Sequence, residues 1–367
     1  MGKDLVDAIE ASDVTGASDL LVKKLKEGMD PWKLHLSLFP VVQRVLNPPF
    51  INPHLPKMYR ICREFVPYLT PDRIGALVSL EVREYARRAK MDKIPREKAL
   101  TSPVAFKEIE AAFKENDPEK AALLMATFLD QKGGEEFARC LLLLGSGYLD
   151  NSLGHSVSCT AFILLEMLER TDQDPWPALS ALANYFCRGR FHTTLPVRTI
   201  PPTHPQQSPN RSLLRSTSGR GFVNLHHTIT RYAIGRVRKF FAQDEYEQMV
   251  NAWIQFLGDK REEEVALKGD EAGVVDHYDG FYKTFSERKA RPLTAALRKM
   301  PASAENRNKL GSFLIQGLCD KYQGNYDPHY VTGLGSTLWV LEQYSMDTPI
   351  AANALYQYLD FFFTGLG

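Results

Sequence analysis

Apolar positions along the chain recur at spacings of three and four, the period of one face of a helix. Phe106, Ile109 and Phe113 follow this spacing, as do Phe137, Leu141 and Leu144, and Leu293, Leu297 and Met300. Leu124 and Phe128 form a similar pair between Glu119 and Leu129. The alternation of a half-buried strand is nearly absent, and Asp279-Gly280 stands in a helical context. Ser102-Pro103 reads as a cap followed by proline at the first helical position. Tyr356, Tyr358, Phe361, Phe362 and Phe363 read as the buried face of a last helix. The fold class is all-α, with roughly fifteen to eighteen helices of ~11–12 residues joined by short connections. The pattern breaks from Arg190 to Gly221, where Pro196, Pro201, Pro202, Pro205, Pro209 and the run Ser216-Thr217-Ser218-Gly219 predict one long loop, a lid or a linker.

A second periodicity is organised around histidine. His155-Ser156-Val157-Ser158, His227-Thr228-Ile229-Thr230 and His329-Tyr330-Val331-Thr332 share the form His-x-(Val/Ile)-(Ser/Thr), and His54-Leu55-Pro56-Lys57 is a degenerate copy. Asn52-Pro53 precedes His54, and Asp327-Pro328 precedes His329; both are helix-start signals. Ser152 and Asn224 can cap the other two helices. Asp72, Asp172 or Asp174, Asp244 and Asp347 lie 17 to 19 residues beyond the histidines and mark the start of a second helix. These features predict histidine-led helical hairpins near 54–88, 155–190, 227–261 and 329–363, of a length typical of two-helix repeats. The hairpins would pack as a single bundle-like or solenoid-like domain over 1–367.

Each histidine would then sit in the first turn of its helix. A helix N-terminus disfavours imidazolium and keeps the ring neutral, the form that binds metal. Convergence of His54, His155, His227 and His329 would give a four-nitrogen site for Fe, Zn, Cu or Ni. His226 competes with His227, but only His227 keeps the motif spacing. His277, in Asp276-His277-Tyr278-Asp279, is a separate candidate cluster, and His35, His192 and His204 stand outside the repeat. Arg231 and Tyr232, one turn into the His227 helix, could orient an acidic or phenolic substrate, and Tyr59 holds the corresponding place after His54. The competing reading is a scaffold whose histidines serve packing alone.

The motifs Asn52-Pro53-His54-Leu55-Pro56, His155-Ser156-Val157-Ser158, His227-Thr228-Ile229-Thr230 and Asp327-Pro328-His329-Tyr330-Val331-Thr332, spread over an all-helical chain, resemble the questin oxidase-like family. The resemblance covers nearly all of the chain beyond about Pro40. It implies histidines from separate helices holding a non-haem iron that activates molecular oxygen. It also implies oxidation, with ring cleavage, of polycyclic aromatic ketones or quinones. The family often shows a second histidine shortly after the first, where this chain has Lys57 and Met58. The motifs name no fifth ligand; a lysine such as Lys321 or Lys283 or a carboxylate such as Asp327 could serve.

Composition changes this picture little. The 367 residues are 44% hydrophobic and 24% charged, with a net charge of +1, which excludes a disordered chain, a collagen and a coiled-coil rod. No apolar run approaches the ~18 residues of a membrane span. Met1-Gly2-Lys3-Asp4 leads into no signal-peptide core. Cys62, Cys140, Cys159, Cys187 and Cys319 are odd in number and widely spaced, which suggests reduced thiols and a cytoplasmic setting. Charge distribution says more. Between Asp174 and Asp244 there is no acid, but there are ten bases: Arg188, Arg190, Arg198, Arg211, Arg215, Arg220, Arg231, Arg236, Arg238 and Lys239. Such a stretch over 188–239 would attract an anionic aromatic substrate. It could equally form a nucleic-acid surface, or a solvated loop paired with Asp259–Glu264. There is no phosphate-binding glycine loop and no GxSxG elbow.

Overall fold

The computed structural model describes residues 3–98, 100–189, 208–258, 285–298, 303–321, 328–345 and 347–365. Among them the protein is all-α, with nineteen α-helices and no strand. The only β-type pairings described are the isolated bridges Val45–Lys90 and Asn47–Phe50.

The helices named by the histidine pattern are present at His54–Phe65 and Pro71–Arg87, His155–Glu169 and Trp176–Arg188, Gly221–Arg236 and Gln243–Leu257, and His329–Gln343 and Pro349–Gly365. Three of the four leading helices begin on the histidine itself. Of the acids expected to cap the second helices, Asp174 does so, while Asp72 and Asp244 lie inside the first turn of theirs and Thr348 Oγ1 accepts from Ala351 N at the last. Asp174 Oδ1 accepts from Trp176 N at 3.1 Å, and Pro71 opens its own helix.

Two local expectations are corrected. Pro209–Ser218 is a helix, so the stretch predicted as loop over 190–221 is helical in its second half. Ser208 caps it, accepting from Arg211 N at 3.2 Å, with Pro209 at the first position. Residues 190–207 of that stretch lie outside the described residues. Ser102-Pro103, which carries the same signal, starts no helix. The helix there runs Phe106–Glu115, and Glu108 reaches back to Ala105 N at 2.7 Å.

The chain divides into two compact units, where the sequence suggests one domain. The first comprises Met1–Arg63, Pro71–Pro201 and Ala233–Ala252. In it, Trp176–Arg188 packs on Pro118–Lys132 and Phe106–Glu115, and His155–Glu169 packs on Gly134–Ser146. The last two helices approach closely at Gly145, where a Cβ would stand 2.6 Å from the Ser156 carbonyl oxygen. Phe113 stacks on Phe186 at 5.0 Å, and Phe137, Leu141, Phe162 and Leu182 are fully buried, each worth about 1.5–3 kcal/mol of transfer free energy.

The second unit comprises Glu64–Thr70, Pro202–Tyr232 and Trp253–Gly367. Its last helix, Pro349–Gly365, packs on His329–Gln343, Pro209–Ser218 and Ala290–Arg298. Phe362 and Phe363 close on Phe285 at 5.7 and 5.1 Å, so the C-terminal aromatic run is core, as its spacing suggests. On another side of this helix, Gln357 gives its amide hydrogens to the Ser216 and Gly219 carbonyls and Asn353 bonds Ser218 Oγ. The bond to Ser216 O satisfies a C-terminal carbonyl of the Pro209–Ser218 helix that has no partner within that helix, and the bond to Gly219 O satisfies its C-cap.

Cys62, Cys140, Cys159, Cys187 and Cys319 are free thiols. No described helix is long and apolar enough to cross a membrane.

Candidate metal centre

His54 is placed by the turn before its helix, where its N–H bonds Asn52 O at 2.8 Å. The ring is buried, and its Nδ1 lies 3.1 Å from Asn47 Nδ2. Asn47 cannot present its other face there. Its Oδ1 is taken by Arg88 Nη1 at 2.6 Å, and Arg88 is held in turn by Glu84 at 3.2 Å. The amide therefore donates to His54 Nδ1, and the ring proton of neutral His54 sits on Nε2.

His155 follows two left-handed residues, Leu153 (φ 51°) and Gly154 (φ 77°), which break the chain sharply before the helix. Its Nδ1 lies 2.7 Å from the Ser152 carbonyl, which can only accept. Nδ1 therefore carries the proton and Nε2 is bare. The two Nε2 atoms are 2.7 Å apart, with the rings edge to face at 76°. His54 donates and His155 accepts. One turn further along each helix, Lys57 Nζ stands 3.5 Å from Ser158 Oγ, both buried. Burial pushes the neighbouring Cys159 thiol up, despite the Lys57 charge.

The second unit holds a similar pair. His226 Nδ1 lies 2.7 Å from the Phe222 carbonyl, and its Nε2 lies 2.9 Å from His329 Nε2. By the same reasoning His226 keeps its proton on Nδ1, and His329 donates. The Phe222 ring stands 4.4 Å from His226 and 4.6 Å from His329, covering both imidazoles with a partly exposed edge.

The buried rings His54, His155 and His329 each offer one ligand nitrogen to a group that could hold a metal ion. The structure puts His226, not His227, against His329. His227 is buried elsewhere in its helix's packing: its carbonyl accepts from Trp253 Nε1 at 2.8 Å, and its ring lies 4.4 Å from Phe256. The reason is helix register. The third leading helix starts at Gly221, whose φ of +77° sets the break, so both histidines lie in its second turn. Adjacent residues there point about 100° apart.

The other predicted site residues have their own partners. Tyr232 gives its hydroxyl hydrogen to Glu64. Arg231 lies over the Trp253 and Trp339 rings at 5.7 and 5.5 Å. Tyr59 stacks on His35 at 4.2 Å, and its phenol is pushed well above 10 by burial and by the Glu166 and Glu81 charges. Lys321 ends the Ala304–Lys321 helix. Lys283, Asp327, His192, His204 and His277 lie outside the described residues.

Sequence reasoning missed Asn47, Arg88, Glu84 and Phe222, which orient the rings, and read Ser152 only as a cap, not as the carbonyl that holds His155. It also missed the role of His35. That ring is clamped between Trp32 and Tyr59, with Nδ1 2.8 Å from Glu81, which also accepts from Tyr85. Of the acid-free stretch, Arg215 is buried against Gly258 O, Arg220 lies 5.1 Å over Tyr356, Arg238 lies 4.6 Å over Tyr246, and Lys239 pairs with Glu169 at 3.6 Å. These bases are engaged in packing their own units.

No family model matches the chain, and no curated protein or solved structure matches it.

Proposed function

We propose that the protein is a metal-dependent oxidoreductase, an oxygenase or oxidase of the questin oxidase-like kind. His54, His155 and His329, joined by His226, would hold one non-haem iron. The observation that carries this reading is the buried set of imidazoles with ring protons assigned by fixed partners.

The donor set suits the ion. Neutral imidazole nitrogens bind Fe, Zn, Cu and Ni, and the sequence resemblance selects iron among them. Within each pair, the Nε2–Nε2 separations of 2.7 and 2.9 Å approach the roughly 3 Å expected of neighbouring ligands on bonds of about 2.0–2.1 Å. His155 and His226 already turn a bare Nε2 inward, with Nδ1–H tied to a carbonyl, as metal-bound histidines do. His54 and His329, the two donors, must each move the ring proton from Nε2 to Nδ1 to bind a metal. At His54 this involves Asn47. The Asn47 amide must turn its oxygen to Nδ1, so that the ring proton moves there and Nε2 becomes free.

A bound iron would supply Lewis acidity and one-electron chemistry with molecular oxygen. The chain's own groups orient and exclude. The Ser152 and Phe222 carbonyls fix two rings, Arg88 and Asn47 set the tautomer of a third, and Phe222 keeps water from the second pair. The substrate is an aromatic or polycyclic small molecule, anionic or phenolic in the form recognised, and the free thiols suit a reducing cytoplasmic setting. The test is oxygen uptake by the iron-loaded protein across polycyclic phenols, ketones and quinones. Uptake with at least one class, abolished in His155→Ala, supports the reading. No uptake with any class removes it.

A further inference from the structure

A cavity of about 240 Å³ opens in the first unit beside the turn that leads into the His54 helix. Pro48, Phe50, Ile51 and Met91 give it an apolar wall, with Phe50 and Ile51, 54% and 43% exposed, at the rim. Another wall is a single stripe of the Trp176–Arg188 helix. Ala181, Asn184, Tyr185 and Arg188 line the cavity at offsets of three, four and seven residues, which is one helix face. The stripe runs outward. Ala181, Asn184 and Tyr185 are buried, and Arg188 is exposed. Arg188 is therefore rooted on the cavity side of its helix, at the opening.

Two bases line the cavity, Arg44 and Arg188, and among the described residues no acid does. Arg44 is used by the fold: its Nε donates to Met91 O and its Nη1 to Glu10 Oε1, both at 2.9 Å. Arg188 is not. Its side chain makes no hydrogen bond, ion pair or ring contact among the described residues. A base in the last turn suits the helix dipole, but that interaction uses none of the guanidinium N–H donors. A carboxylate takes two of those donors at once. A cation would meet arginine with no acid to offset it. The apolar wall beside the guanidinium selects an acid carried on a ring. A cavity of about 150 Å³ holds benzene, so about 240 Å³ suits one or two fused rings.

We infer that this cavity binds a small aromatic carboxylate, its ring among Pro48, Phe50 and Tyr185 and its carboxylate on the Arg188 guanidinium. The inference does not depend on a metal being bound. Asn47 lies between the lining residues Leu46 and Pro48, so the ligand would sit along the segment that orients His54.

The probe is 2-naphthoate, titrated by calorimetry at low ionic strength into the full-length chain as purified. Its neutral isostere, 2-naphthamide, is titrated in parallel. The carboxylate binds, and the amide binds about three- to tenfold more weakly, the range open to a bidentate ion pair that stays partly exposed. Added salt narrows that difference. Arg188→Gln, a change at an exposed position, brings the carboxylate down to the affinity of the amide and leaves the amide where it was. Phe50→Ala, also at an exposed position, weakens both compounds alike. Four results overturn the inference: no binding of 2-naphthoate up to its solubility limit, equal affinity for the two compounds on the wild-type chain, an unchanged carboxylate affinity in Arg188→Gln, or unchanged affinities in Phe50→Ala. The comparison of ligands on the wild-type chain needs no variant to fold.

Discussion

The Nε2 atoms of His54 and His155 meet at 2.7 Å, and the hydrogen bond between them gives two identical rings opposite roles. His155 is the acceptor because the Ser152 carbonyl claims its Nδ1 proton. His54 is the donor because Asn47, pinned by Arg88, gives a hydrogen to its Nδ1. The tautomer of His54 is thus decided by a residue one hydrogen bond from the ring, and by an arginine one hydrogen bond beyond that.

Asn47→Asp follows directly from this relay. A carboxylate still accepts from Arg88 and now also accepts from His54 Nδ1, so Nε2 is freed for a metal. Metal affinity, measured by competition with a chelator, should rise about 10–100-fold, the range typical of groups that support a ligand histidine. An unchanged or lower affinity would show that Asn47 does not hold the tautomer.

His226 and His227 should separate cleanly. His226→Ala removes the ring that faces His329 and lowers metal content, with a modest loss of stability. His227→Ala leaves metal content intact and costs about 1–3 kcal/mol, because the ring packs on Phe256 in a closed core. Metal content by elemental analysis and chemical denaturation of both variants check the pair. Equal metal loss in both would contradict the assignment.

Gly145→Ala should destabilise the protein although it raises helix propensity. The added methyl would meet the Ser156 carbonyl oxygen at 2.6 Å, and backbone cannot rotate away. The His155–Glu169 helix must shift, at a cost of about 1–3 kcal/mol. A melting temperature equal to or above that of the wild type would refute the close approach.

Glu84 links the relay to pH. Burial pushes its carboxyl up to about 7 from 4.5, against the pull of Arg87 and Arg88. Between these values the folded chain binds more protons than the unfolded chain, so this contribution falls as pH rises through the window. Glu84→Gln keeps an acceptor for Arg88 and does not ionise. The stability difference between wild type and Glu84→Gln should therefore move against the wild type by up to about 3 kcal/mol from pH 4.5 to 7. Urea denaturation at the two pH values measures it, and a constant difference would count against the shift.

The helices were legible because their signals are local. Asn52-Pro53, Pro71 and Asp174 announce helix starts, and the His-x-(Val/Ile)-(Ser/Thr) motif at His155 and His329, with its degenerate copy at His54, marks three leading helices that begin on histidine. The fourth misled because Gly221, five residues before His226, sets the start. Motif spacing carries no information about a start placed upstream of the motif. Ser-Pro was ambiguous in both directions. It opens a helix at Ser208, where Leu213 and Thr217 follow on a buried face, but not at Ser102, where the chain bends before Phe106. A residue count cannot find Asn47 or Arg88 either. Arg88 lies 41 positions from Asn47, and only packing of the Pro71–Arg87 helix brings them to 2.6 Å.

Elemental analysis of the purified chain after anaerobic incubation with ferrous iron tests the central claim most directly. The account predicts about one iron per chain in the wild type, lost in both His155→Ala and His329→Ala, since binding needs all the convergent imidazoles. A wild-type chain that stays metal-free, after incubation with zinc, copper and nickel as well, would contradict it. The two histidine pairs would then be hydrogen-bonded core.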